Sequence, residues 1–168
     1  MRRLQLRRAS FSDIEALSEL QRNSLMGIAA AHYTPQEMAA FLTHPSVGMD
    51  QLLRTAHVWV LGRGRRIDAC AGWRRSEAGA VMLRSVYVRT ECAGRGLASR
   101  LLDHVEAEAT RRNPGAIRLV STLGAQGFYE RRGYRAIGAT FLHLGEVPLR
   151  GVDMVKTLPQ AEPRRTAA

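Results

Sequence analysis

The sequence is short of cysteine, of lysine and of long apolar runs, and each shortage removes a class of protein. Cys70 and Cys92 are the only cysteines, which makes no disulfide framework and no C-x-x-C spacing for zinc. The five histidines, His32, His44, His57, His104 and His143, include no helical-spacing pair, so no metal site is expected. No apolar run approaches the roughly 18 residues of a membrane span. Met1–Arg8 is charged and leads into no apolar segment, so neither a leader nor a membrane anchor is expected, and the chain reads as cytoplasmic. Lysine is confined to Lys156, although 25 basic residues give a formal net charge of +10. The arginines lie in scattered pairs such as Arg2-Arg3, Arg65-Arg66, Arg111-Arg112 and Arg131-Arg132. A nucleic-acid binder clusters its charge and interleaves aromatics, so a basic nucleic-acid-binding protein is the weaker reading.

What is present fits one compact domain: 168 residues, 45% of them hydrophobic. Residues 1–158 are expected to form it. The tail 159–168 has two prolines and no periodicity, and is expected to be disordered. Alternation at Leu4 and Leu6 predicts a strand over Arg3–Arg8. Ile14, Leu17, Leu20, Leu25 and Ile28 then recur at helical spacing behind Ser10, Ser12 and Asp13, which suit a helix start. Pro35 opens a second helix through Leu42, and Met49–Arg54 is a weaker third. His57–Leu61 and Ile67–Arg74 predict a hairpin around Gly62–Arg65, with Val81–Val88 as the next strand. Leu97, Leu101, Leu102, Val105 and Ala109 mark a long helix ending before Asn113-Pro114-Gly115. A short strand at Ile117–Val120, a brief helix at Ala125–Arg132 and strands at Tyr134–Leu144 and Val152–Leu158 complete the chain.

Chemistry is concentrated in two stretches. In the first, Ser85-Val86-Tyr87-Val88 feeds a turn and then Gly94-Arg95-Gly96-Leu97-Ala98-Ser99 at a helix start. Unpaired backbone N–H groups converge there, the helix dipole favours negative charge, and Arg95 adds a cation, so the junction suits a phosphate. The same glycines would also serve a plain tight turn. No G-x-x-x-x-G-K-[ST] is present, and Ser99 interrupts G-x-G-x-x-G; a nucleoside-triphosphate loop and a dinucleotide-binding half are both excluded. The second stretch is Phe128-Tyr129-Glu130 followed by Gly133-Tyr134.

In this order the two stretches resemble the GNAT N-acetyltransferase superfamily, in its small single-domain bacterial type. Ala93-Gly94-Arg95-Gly96-Leu97-Ala98 is similar to the family's Q/R-x-x-G-x-G/A motif at both small positions, with Ala93 where glutamine or arginine is usual. Phe128-Tyr129-Glu130 resembles its later F-Y-E motif, with Thr122 where an asparagine is common. The resemblance implies an α/β (α+β) fold: a mixed, mostly antiparallel central sheet splayed between strands 4 and 5 and flanked by helices. It also implies acetyl-CoA as co-substrate, with pantetheine along Val86, Tyr87 and Val88 and pyrophosphate on the turn from Ala93 through Ser99. Thr122, Ala125 and Phe128 would lie along the same ligand. By the same resemblance the Val86 amide would hold the thioester oxygen, and Tyr129 would protonate the departing sulfur.

The implied reaction is acetyl transfer to a primary amine of a small molecule, peptide or protein, with a homodimer left open. Strand Val81–Val88 contains no carboxylate to serve as base. His32, Tyr33 and Asp68 qualify by residue type, and Ser85 is suited to orienting a water. The alternatives are a CoA-binding module without turnover and the nucleic-acid binder.

Overall fold

The computed structural model describes residues 3–112 and 115–158, so the expectation for the tail 159–168 lies outside the described residues. Among these, seven strands form one sheet in the order β1-β2-β3-β4-β5-β7-β6. They are β1 Gln5–Arg8, β2 His57–Arg63, β3 Arg66–Arg75, β4 Val81–Val88, β5 Ala116–Ser121, β6 Arg135–Leu144 and β7 Val147–Thr157. Helices α1 Ile14–Ser24, α2 Pro35–Thr43 and α3 Met49–Thr55 pack on one face, and α4 Leu97–Thr110 and α5 Gln126–Glu130 on the other. No described helix is long and apolar enough to cross a membrane.

Every neighbouring pair of strands is antiparallel except β4 and β5. These two run parallel and pair only at Val81↔Ile117 and Met82↔Arg118. Beyond that point they part, which is the splay expected between the fourth and fifth strands. Two apolar cores cover the two faces of the sheet. Leu17, Leu20 and Leu25 join Val58, Val60 and Tyr87 under α1, while Leu101, Leu102, Val105 and Ala109 bury the stripe of α4 against Ile117, Leu119 and Met154.

Polar clamps fix α4 relative to the split. The indole N–H groups of Trp59 and Trp73 donate to Glu108 Oε2 at 2.6 and 2.9 Å. Two residues earlier, Tyr134 Oη and Lys156 Nζ reach Glu106 at 2.9 and 2.8 Å. Buried carboxylates are retained when they are paired and hydrogen-bonded in this way, and the motif residue Tyr134 thereby tethers β6 to α4.

Three expectations move. The hairpin turn is only Gly64-Arg65, because Gly62 stays in β2, where a Cβ would run into the Arg66 carbonyl. Strand β7 starts at Val147 instead of Val152, since Gly145 at φ +64 turns the chain straight out of β6. Ile28 is 43% exposed and leaves the α1 stripe because Leu25–Ala29 winds as a π-helical turn.

The start of α1 is held by Asp13, which accepts from Arg7 Nη1 and Nη2 at 2.8 and 2.7 Å and from the Ser10 N–H at 2.9 Å. Those bonds, the Arg7 pair first, hold the Asp13 carboxyl down at about 2. A carboxylate whose pKa falls on folding stabilises the fold above the unfolded pKa of about 3.9, and that contribution disappears as the pH drops through about 2. Asp13→Asn is therefore expected to flatten the pH dependence of the urea midpoint between about pH 4 and pH 2. Parallel wild-type and variant curves across that window would remove Asp13 from the acid response.

Candidate active site

The floor of the split is a bulge in β4. Cys70 faces Tyr87 but Gly72 faces Arg84, so β4 carries one extra residue and Ser85-Val86 has no ladder partner on β3. Ser85 sits at φ +53, a left-handed conformation that costs a non-glycine about 1–3 kcal/mol. The Cys70 thiol donates to its carbonyl at 3.3 Å. From α1, Gln21 Nε2 donates to Tyr87 Oη at 3.2 Å and to the Val47 carbonyl at 2.9 Å. Burial pushes the Tyr87 phenol up to about 12, so it stays neutral at this junction.

The loop after β4 is fastened to α1 as well. Arg89 is buried and donates to the Ile67 carbonyl at 2.8 Å and to Glu19 at 3.0 Å. Thr90 bonds Asn23 through its N–H at 2.8 Å and its hydroxyl at 3.0 Å, and Gly27 leaves the room its side chain occupies. The chain then enters α4 through Gly94 and Gly96, both at φ +73. A Cβ at either would meet nothing within 4 Å. Glycine is required there by backbone handedness, and the space beside it is open cleft.

The first α-helical bond runs from the Arg100 N–H to the Gly96 carbonyl at 3.0 Å, which leaves the amides of Leu97, Ala98 and Ser99 unpaired at the positive end of the helix. Arg95 lies at the rim of this turn. Its side chain is exposed and does not line the cleft, and its N–H turns back to the Cys92 carbonyl at 3.4 Å. Arg131 from the end of α5 borders the cleft instead.

These elements enclose a cleft of about 490 Å³. One wall is Val86, Tyr87 and Val88; the end is Ala93, Gly94, Gly96, Leu97, Ala98 and Ser99; the far wall is Thr122, Ala125, Phe128 and Tyr129. The structure thus gathers every residue expected along acetyl-CoA except Arg95, together with Tyr129. It adds Ser24, Leu25, Ile28 and Ala29, which the π-helical turn swings onto the cleft. The Val88 N–H reaches Ser24 Oγ at 3.4 Å, a contact long enough for an extended ligand to take over.

Tyr129 is 7% exposed and stands between this cleft and a smaller cavity of about 100 Å³ that opens along the split. Its ring packs edge-to-face on Phe128 and Tyr134 at 5.1 and 5.7 Å. Burial raises its pKa well above that of an ordinary phenol, so it holds its proton across the neutral range. The residues considered as bases are elsewhere. Asp68 is fully buried between Arg63 and Arg66 at 2.8 and 2.7 Å. The Tyr33 hydroxyl is used by the Arg150 carbonyl at 2.8 Å and the Leu123 N–H at 3.0 Å. His32 is exposed, and its ring packs on Gly124. None of the three lines the smaller cavity, whereas Ser85 does.

A sheet parted at its one parallel pair, with a bulged strand and a glycine-opened helix facing the gap, is the architecture of a GNAT-type acyltransferase. The acetyltransferase (GNAT) domain family matches residues 29–158, and the chain belongs to that family. Its fold is similar to a GCN5-related N-acetyltransferase of Rhodopseudomonas palustris, at TM-score 0.80 and 18% identity over 92% of this chain and 95% of that one. The PaiA N-acetyltransferase of Thermoplasma acidophilum, solved with coenzyme A, gives 0.74 at 15% identity over 93% and 99%. A GNAT-family acetyltransferase of Staphylococcus aureus gives 0.70 at 18% over 94% and 100%. No curated protein matches the sequence significantly.

Proposed function

We propose that this protein transfers the acetyl group of acetyl-CoA to a primary amine of a small molecule, peptide or protein. The observation that carries this reading is one continuous cleft with free helix-start amides at one end and the Val86 bulge facing Tyr129 at the other. The Leu97, Ala98 and Ser99 amides suit a pyrophosphate, and the edge of β4 suits an extended pantetheine arm. The amine attacks from the smaller cavity as the free base. The Val86 N–H, released from the ladder, stabilises the negative charge that develops on the carbonyl oxygen. As the C–S bond breaks, Tyr129 donates to the sulfur and the attacking nitrogen loses its extra proton, so charge is conserved. A phenol held above its ordinary pKa gives up a proton to a thiolate only when another is supplied, so donation and nitrogen deprotonation are coupled.

A ligand that binds only the folded state adds about 2.7 kcal/mol at a hundred times its Kd. Acetyl-CoA and CoA are expected to raise the melting temperature accordingly, with ATP and NAD doing much less. An equal shift with ATP would oppose the assignment. A second reading, a CoA-binding module without turnover, draws on Ala93 and on the cavity's lack of a carboxylate. Free-thiol release with an amine panel separates the two: the module binds acetyl-CoA and releases none.

A further inference from the structure

The smaller cavity carries an unbalanced charge. It lies where β4 and β5 part, bounded by Phe41 from α2, Leu119 and Val120 from β5, and Arg84 and Ser85 from β4. Arg84 lies opposite Gly72 in the ladder, on the sheet face that α2 and α3 cover. It is half-buried, and no described carboxylate pairs with it. Other cations around the split differ: Arg118 is paired with Asp153 at 3.0 Å and Arg150 with Glu37 at 3.4 Å. Burial lowers the Arg84 pKa, and the positive charge of Arg74 lowers it further. A partly desolvated guanidinium without a counter-ion is costly, and the cost is relieved when an anion arrives in its plane.

We propose that Arg84 is a specificity-determining residue that binds a carboxylate of the acceptor, so that the amine acetylated is that of a small amino carboxylate such as a free amino acid. This rests on the acetyl-CoA reading above. The guanidinium fork matches a carboxylate in two parallel N–H···O bonds. Phe41, Leu119 and Val120 offer apolar contact to the carbon skeleton, and a cavity of about 100 Å³ admits only a small group. A polyamine would bring a further ammonium to a guanidinium that already faces Arg74. The same positive field disfavours the acceptor's ammonium form and so eases formation of the free amine where no carboxylate base is present.

The test uses the full chain and matched acceptors, namely L-amino acids, their uncharged amides and spermidine, read by free-thiol release. Acetyl-CoA affinity is measured on the same preparation. Amino acids are expected to exceed their amides in kcat/KM by roughly 10- to 100-fold, the range for a charge-assisted pair. Arg84→Gln is expected to collapse that ratio through KM, with Arg84→Lys restoring part of it. Amides or spermidine matching the amino acids, or a ratio unchanged in Arg84→Gln, would overturn the assignment. So would a wild-type protein that binds acetyl-CoA while no amino acid is turned over or stabilises its CoA-bound form. Absence of acetyl-CoA binding is a different failure, that of the underlying acetyltransferase reading.

Discussion

Ala98→Glu should weaken acetyl-CoA binding by about 100-fold while leaving the unliganded fold as stable as before. Ala98 is the second residue of α4 and lines the end of the cleft beside the unpaired amides. A carboxylate in the first turn interacts favourably with the helix dipole, by about 0.3–1 kcal/mol. A phosphate seated on the same amides would meet that carboxylate at close range, where like charges repel by about 3 kcal/mol at an effective dielectric near 20. Folding and binding are therefore driven in opposite directions by one side chain. A glycine replacement offers no such separation, because φ +73 at Gly94 and Gly96 strains any branched residue. Ala98→Gln, nearly the same size without the charge, separates bulk from repulsion and should lose much less affinity. Calorimetric Kd values beside unliganded melting temperatures decide the matter. If Ala98→Glu binds acetyl-CoA as tightly as wild type, the phosphate is not held at the start of α4.

How much of this site is legible in the sequence depends on how local each part is. Val86 through Ser99 is one unbroken strand, turn and helix, so its glycines and the apolar stripe of α4 announce both the fold and the phosphate end. The opposite wall is hidden by a change of helical period. Ser24, Leu25, Ile28 and Ala29 reach the cleft through a π-helical turn, while the sequence continues the α-helical stripe that placed Ile28 in the core. The bulge is hidden because it falls on Ser85, not on a glycine, and its φ of +53 is imposed by the register against β3. Arg95 differs from the residues around it: a cation next to two glycines reads as a phosphate ligand, and the left-handed turns on either side leave its side chain in solvent. Arg84 carries no signal in the sequence, because nothing in one strand reveals that its neighbour departs two pairs into the ladder.

Tyr129→Phe should lower the single-turnover rate by roughly 10²- to 10⁴-fold, the usual range for a positioned proton donor, with little change in acetyl-CoA affinity. The ring stays, so the edge-to-face contacts with Phe128 and Tyr134 survive and only the hydroxyl is lost. The pH profile then separates the hydroxyl's role from that of the amine. Burial keeps the Tyr129 phenol protonated well beyond neutrality, so Tyr129 contributes no limb between about pH 6 and pH 9, and the rising limb there belongs to deprotonation of the acceptor ammonium. The variant should keep that limb at the same pH and reach a lower plateau. A base would behave otherwise: its removal would abolish the limb. Because a free thiol ionises near pH 8.5, the departing sulfur tolerates the negative charge better as the pH rises, and the deficit of Tyr129→Phe should be largest at low pH. A variant with the wild-type rate and profile would reduce Tyr129 to a packing aromatic, and the departing sulfur would then have to take its proton from water.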